Sequence, residues 1–165
     1  MWAGGAGVNG IERSWGIEMS TVPPGSEVAG QPPAAGLGRV LLVDDDPDLR
    51  EAVRRGLQRL GYSVQTACNG VDAARRLEER LPDVMVLDIV MPVRDGIETL
   101  MEVRQRNLDL RVIVVSGGGQ ITSMDYLGMA RLLGASRVLE KPFTLDELDA
   151  AIREEMGSRG PRGPE

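Results

Sequence analysis

Carboxylates follow two of the most apolar short runs in this chain. Asp44 and Asp45 come directly after Val40–Val43, and Asp88 comes directly after Val84–Leu87. Carboxylates held close together repel one another unless a cation lies among them, and an all-oxygen ligand set suits Mg²⁺ or Mn²⁺. An acidic run by itself also fits an ordinary solvated loop. The expectation of a metal site at Asp44, Asp45 and Asp88 therefore depends on whether the two strand ends meet.

A hydroxyl and the only lysine follow two further apolar runs. Ser116 precedes three glycines, beginning with Gly117, whose bare amides let the oxygens of an anion approach the backbone, although a flexible loop also explains such a run. Lys141 is the single lysine among 19 basic residues. Its ammonium is a compact point charge that suits a phosphoryl oxygen better than the planar fork of an arginine. Ser116, Gly117 and Lys141 are therefore the candidate contacts for a phosphoryl group.

Together these groups predict phosphoryl transfer onto a carboxylate. A divalent cation and Lys141 would neutralise the transferring group while one aspartate acts as the nucleophile. We expect Asp88 to be the acceptor because it stands alone after its strand, whereas Asp44 and Asp45 form a pair that can share the metal.

Composition excludes several other chemistries. The chain contains no histidine, which removes Ser-His-Asp and Cys-His pairs, His-ligated zinc and any phosphohistidine carried on this chain. Its single cysteine, Cys68, cannot form an internal disulfide, which favours a cytoplasmic location. The net charge of −6 opposes direct binding to nucleic acid or to an anionic membrane. No apolar run approaches the roughly 18 to 20 residues of a membrane span.

Five short apolar runs alternate with five amphipathic segments between residues 39 and 156. This pattern predicts an α/β fold with a doubly wound, five-stranded parallel sheet in a three-layer α/β/α arrangement. The carboxyl ends of its strands would share the edge where ligands of such folds bind. Helix starts are expected at Asp46–Pro47 and at Thr144–Glu147, which has the capping-box pattern. We expect Val71, Ala74 and Leu77 to face inward in the second helix, and Ile97, Leu100 and Met101 mark the third helix.

The two ends of the chain differ in composition from this central part. Residues 1–38 contain nine glycines and four prolines without a sustained apolar period, which predicts a disordered leader. Residues 157–165 predict a disordered tail. One domain, residues 39–156, remains.

Four motifs in order make this domain resemble the receiver domain of two-component response regulators, which has a flavodoxin-like fold. They are Val43–Pro47, Val86–Pro92 with Asp95–Gly96 following, Ser116–Gly117, and Lys141–Phe143. The resemblance covers residue 39 to about residue 156. It implies a non-enzymatic signalling protein that catalyses only its own phosphorylation.

The resemblance also implies a role for each site residue. Asp88 would become the aspartyl phosphate, and the donor would be a histidine on a sensor kinase or phosphotransfer protein. Asp45 and Asp88 would ligate Mg²⁺ directly, together with the backbone carbonyl of Val90, while Asp44 would act through water. Ser116, Gly117 and Lys141 would contact the phosphoryl group.

The chain departs from the common pattern of the family in two informative places. Val138 occupies the position, three residues before Lys141, where an aromatic ring often reports phosphorylation. Val90 and Gly118 occupy positions that tune hydrolysis in the family, and neither can orient a water molecule. We therefore expect a phosphorylated state that lasts hours rather than seconds.

The sequence leaves two alternatives to a phosphorylated receiver. A silent interaction module of the same fold would lack phosphorylation, which the intact set of Asp88, Ser116 and Lys141 opposes. A magnesium-dependent phosphohydrolase that uses an aspartyl phosphate would need a second aspartate where this chain has Val90.

Only nine residues follow the last predicted helix, too few for a DNA-binding module. The expectation is thus a stand-alone receiver that acts on an unknown downstream protein.

Overall fold

The computed structural model describes residues 36–91, 96–106, 108–117 and 123–157, with side chains of the last segment from residue 128 onward. The predicted leader and tail lie outside the described residues except at their inner ends. There, Leu37 donates its N–H to the carbonyl of Gly61 at 3.1 Å, and Ser63 donates its N–H to the carbonyl of Gly38 at 2.9 Å. Gly157 is the last residue of the final helix.

Strands and helices alternate along the described chain. The strands are β1 (Arg39–Val43), β2 (Ser63–Ala67), β3 (Val84–Asp88), β4 (Arg111–Gly117) and β5 (Arg137–Lys141), and the helices are α1 (Pro47–Arg59), α2 (Gly70–Glu79), α3 (Gly96–Gln105), α4 (Ser123–Leu132) and α5 (Leu145–Gly157). All strand pairs are parallel, in the order β2-β1-β3-β4-β5. The predicted doubly wound, five-stranded sheet is therefore confirmed. None of the described helices has the length and apolar character needed to cross a lipid bilayer.

The sheet separates two apolar clusters, which form its two covered faces. Successive side chains of a strand point to opposite faces, so neighbouring residues belong to different clusters. One cluster contains Val86 and Val115 and packs against α1 and α5, while the other contains Leu87 and Val114 and packs against α2 and α3. Adjacent residues of a strand therefore pack against different helical layers.

Local hydrogen bonds start α1 and α5 where the sequence predicts. The carboxylate of Asp46 accepts the N–H of Asp48 at 2.9 Å and that of Leu49 at 3.0 Å. Before α5, Thr144 donates its N–H to Glu147 at 2.7 Å, and Glu147 donates its N–H back to the Thr144 hydroxyl at 3.2 Å. A cap of this kind contributes about 1 kcal/mol, and the one at Asp46 sets how α1 leaves the end of β1.

One inward residue was predicted wrongly. Val71 is 52% exposed, whereas Leu77 of the same helix is buried as predicted. Helix α2 is rotated so that Ala73 and Leu77, and not Val71, meet the neighbouring layer. The buried positions are Gly70, Ala73 and Leu77 in α2, and Gly96, Ile97, Thr99, Leu100 and Val103 in α3.

Candidate functional site

The carboxyl ends of β1 and β3 bring the predicted carboxylates together. These strands are neighbours in the sheet, and Asp44 and Asp88 are only 4% and 5% exposed, whereas Asp45 is exposed. One carboxylate oxygen from each of the three lies within 4.8 Å of the other two. Three oxygen ligands in one cluster are a donor set suited to Mg²⁺ or Mn²⁺, so the residues present fit the expected ion.

Lys141 lies between the two buried carboxylates. Its Nζ donates to Oδ2 of Asp88 at 2.8 Å and to Oδ2 of Asp44 at 3.1 Å. Burial acts to lower the pKa of Lys141, but the charges of Asp88 and Asp44 raise it, and the net direction is upward. The side chain therefore stays an ammonium at neutral pH and forms a fixed positive charge beside Asp88.

Burial and a neighbouring negative charge both disfavour the ionised form of Asp44. Burial raises the pKa of Asp44, and the negative charge of Asp88 raises it further, while Lys141 and the N–H of Asp46 act in the opposite direction. The Asp46 N–H donates to Oδ1 of Asp44 at 2.9 Å. Three carboxylates and one ammonium leave a formal charge of two negative units, which a divalent cation would neutralise.

Both oxygens of Asp88 have hydrogen-bond partners. Lys141 occupies Oδ2, and the N–H of Val90 donates to Oδ1 at 3.0 Å. The carboxylate is thereby held in one orientation at the end of the central strand. Val90 itself is 62% exposed.

Ser116 and Gly117 end β4 at the same edge of the sheet, but the side chain of Ser116 leaves its strand on the face opposite to that of Asp88. Val115 is the residue that pairs with Asp88, and strand alternation places Ser116 on the face of Val114. Ser116 is 4% exposed, and no hydrogen bond joins it to Asp88 or Lys141 within the described residues. Gly117 pairs with Lys141 in the register, and a Cβ added to it would lie 3.7 Å from Cδ of that lysine.

Two residues that the sequence analysis gave no role also contact the site. Gly96 donates its N–H to the carbonyl of Ile89 at 2.9 Å, and a Cβ added to it would lie 2.2 Å from the backbone oxygen of Asp88. Arg50 donates from Nη1 to the backbone oxygen of Asp44 at 2.7 Å. The sequence marks these two residues only by their positions, because Gly96 stands at the end of a motif and Arg50 stands in the first turn of α1. The chain has many other glycines and arginines, so residue type alone does not single them out.

Comparison with known proteins agrees with this geometry. Residues 40–153 match the response regulator receiver domain family. The chain is 40% identical over 122 residues to the transcriptional regulatory protein PrrA of Mycobacterium leprae, covering 74% of this chain and 51% of that protein. It is also 40% identical over 115 residues to the response regulator MprA of the same species, covering 70% of this chain and 49% of the relative. The chain thus spans about half the length of the curated relatives it matches.

Solved structures show the same fold. The receiver domain of NtrX from Brucella abortus superposes with a TM-score of 0.67 at 30% sequence identity, covering 73% of this chain and 99% of that domain. The predicted flavodoxin-like arrangement is therefore confirmed by both the strand order and the structural match.

Proposed function

The chain belongs to the response regulator receiver domain family of two-component systems, and from this premise we propose that Asp88 accepts a phosphoryl group from a histidine of another protein. The donor would be a sensor histidine kinase or a phosphotransfer protein, since this chain has no histidine of its own. The observation that carries the proposal is the position of Asp88, held by Lys141 at 2.8 Å and within 4.8 Å of two further carboxylates.

The acidic cluster is the proposed site for Mg²⁺, with Mn²⁺ as a substitute. Asp45 and Asp88 would hold the ion directly with the backbone carbonyl of Val90, and Asp44 would act through water. When bound, the ion supplies positive charge that offsets the negative oxygens of the transferring group. The charge imbalance among the three carboxylates and Lys141 supports this assignment.

Asp88 performs the chemical step in this proposal. One of its carboxylate oxygens forms a bond to phosphorus while the phosphorus–nitrogen bond of the donor breaks, and the electron pair of that bond stays on the donor imidazole. Lys141, already an ammonium beside Asp88, would then pair with a phosphoryl oxygen. Ser116 and the backbone of Gly117 are the proposed contacts for a second oxygen, which requires Ser116 to reach across the end of β4.

The lifetime and the output of the phosphorylated state are further parts of the proposal. Val90 is aliphatic and 62% exposed, so it has no group to orient a water molecule for hydrolysis of the aspartyl phosphate. Gly118, the other residue expected to affect hydrolysis, lies outside the described residues. Val138 is partly buried against the apolar cluster that contains Leu87, and a branched aliphatic there lacks the ring that often reports phosphorylation. We expect an hours-long phosphorylated state that is read through protein contacts.

The same residues disfavour the phosphohydrolase alternative. A phosphohydrolase of that class needs a second aspartate at the position of Val90, and a valine side chain cannot act as an acid or a base. The partners of the whole protein are also proposals, because the relatives extend well beyond the part that this chain matches. For the receiver itself we propose a histidine-containing phosphodonor and a downstream protein.

Phosphorylation by acetyl phosphate tests the proposal. The protein is incubated with acetyl phosphate and Mg²⁺, and its intact mass is followed with time. We expect a gain of one phosphoryl group in the wild type and none in Asp88→Asn. Asp48→Asn, which removes an exposed carboxylate from the first turn of α1, is the matched control and should behave as the wild type.

Three other results would each contradict part of the proposal. The absence of any mass gain in the wild type favours the silent module. Sustained turnover of a phosphomonoester favours the phosphohydrolase. Loss of the phosphoryl group within seconds, without a phosphatase, refutes the long-lived state.

A further inference from the structure

Arg50 contacts the turn that carries the acidic pair. It lies in the first turn of α1 and is half-buried, and its Nη1 donates to the backbone oxygen of Asp44 at 2.7 Å. Arg50 lines a small cavity together with Asp44 and Asp88. Among the described residues it forms no ion pair, although the acidic cluster is adjacent. Its hydrogen bond is therefore directed to the backbone of the turn and not to a carboxylate.

The three carboxylates differ in how they are held. Asp88 is fixed through both of its oxygens, by Lys141 and by the N–H of Val90. Asp44 is fixed by Lys141 and by the N–H of Asp46. Asp45 is exposed, and within the part of the chain that the structure describes no hydrogen bond reaches its side chain. The direction of the Asp45 carboxylate therefore depends on the backbone on either side of it.

Both peptide groups that flank Asp45 are held by hydrogen bonds. A peptide group is planar, so a bond to its oxygen or its N–H fixes the orientation of the whole group. Arg50 fixes the group before Asp45 through the oxygen of Asp44, and Asp44 Oδ1 fixes the group after it through the N–H of Asp46. Together the two bonds set the direction of the Cα–Cβ bond of Asp45. Without Arg50, the first of these groups loses a charge-assisted hydrogen bond.

We propose that Arg50 is a positioning residue that aims Asp45 into the cation site by holding the Asp44–Asp45 peptide group. This inference rests on the proposed cation site at Asp44, Asp45 and Asp88. It assigns Arg50 a role in metal affinity that its own charge would oppose, because a guanidinium close to the site repels a divalent cation. Positioning and charge therefore predict opposite signs, and this makes them separable by experiment.

Calorimetric titration of the full chain with Mg²⁺, without a phosphodonor, measures the effect. In Arg50→Met we expect Mg²⁺ affinity to fall by about tenfold or more, the range found when groups that orient metal ligands are removed. Arg59→Met is the matched control, because it removes the same charge from the exposed last turn of the same helix, and its affinity should stay within about twofold of the wild type. An Arg50→Met affinity that is unchanged or tighter than the wild type overturns the proposal.

Two further measurements keep the outcome decisive. Asp45→Asn should weaken Mg²⁺ binding at least as much as Arg50→Met. If the wild type does not bind Mg²⁺, or if Asp45→Asn binds it normally, the cation site itself is wrong, which is a different failure from that of Arg50. If Arg50→Met does not unfold cooperatively in EDTA, Arg50→Lys replaces it. Because Lys keeps the charge but its side chain ends one bond short of the Nη1 that reaches the Asp44 oxygen, weakened binding supports positioning and unchanged binding overturns it.

Discussion

Gly96 offers a test of how tightly the backbone behind the acceptor is packed. It is the first residue of α3, and its N–H donates to Ile89, directly after Asp88. A Cβ at this position would lie 2.2 Å from the oxygen of Asp88, 2.7 Å from Cα of Ile89 and 2.9 Å from the carbonyl carbon of Asp88. All three atoms belong to the backbone of the strand end, so no side chain can rotate away to make room.

The size of the effect follows from these distances. Ordinary van der Waals contact begins near 3.4 Å, so the pair at 2.2 Å must separate by about 1.2 Å (3.4 − 2.2). Overpacking of this kind costs about 1 to 3 kcal/mol of unfolding free energy. Displacing a reacting group by about 1 Å slows catalysis by roughly a hundredfold. We therefore expect Gly96→Ala to lose about 2 kcal/mol of stability and to take up phosphate from acetyl phosphate up to about a hundredfold more slowly.

The assay pairs this variant with Gly56→Ala. A Cβ at Gly56 would also meet close atoms, at 2.7 and 2.9 Å, but these are Cδ2 and Cδ1 of Leu145, the ends of a flexible side chain. Gly56 is inside α1, where alanine gains up to about 1 kcal/mol in helix propensity to offset the shift. Gly56→Ala should thus stay within about 1 kcal/mol of the wild type in urea unfolding and should be phosphorylated at the same rate.

Gly96→Ala would contradict this expectation if it unfolded at the urea concentration of the wild type and were phosphorylated at the same rate. An equal loss of stability and activity in both alanine variants would also contradict it. In either case the contact with Asp88 would not be what requires a glycine at this position.

Two further predictions concern Lys141 and Tyr62. Lys141→Met leaves the buried carboxylates of Asp44 and Asp88 without the ammonium that they share. We therefore expect the free energy of unfolding in urea to fall by about 3 kcal/mol without Mg²⁺, and by less when Mg²⁺ is present. An equal loss in both conditions would contradict this prediction. Tyr62 is 2% exposed, and its hydroxyl donates to Asp149 at 2.7 Å. Burial raises the pKa of Tyr62, and the hydrogen bond to Asp149 raises it further. The contribution of this bond to the free energy of unfolding is therefore complete below about pH 10 and is lost as the pH rises towards the folded-state pKa. Tyr62→Phe should cost about 2 kcal/mol at neutral pH, and thermal melts should show the alkaline loss in the wild type but not in the variant.

Features that depend on short stretches of chain could be predicted from the sequence. Asp46 caps α1 and Thr144 caps α5 through hydrogen bonds that span three residues, so neighbouring residue types determine them. The meeting of Asp44, Asp88 and Lys141 was also predictable, although the three are far apart along the chain. Parallel strands that alternate with helices must end at the same edge, and the apolar runs identify where each strand ends.

Side-chain directions that depend on packing between elements required the tertiary structure. The rotation of α2 leaves Val71 exposed because the layer beneath it accepts Ala73, a choice that helical periodicity alone does not make. Strand alternation is local, but the register with β3 decides that Ser116 starts on the face opposite to Asp88. The role of Arg50 arises from a side chain that reaches back to the end of β1. Residue types and their spacing therefore predict which chemical groups meet and at which edge of the sheet. The orientation of those groups depends on tertiary packing, because it is set by atoms that come together only when the layers close.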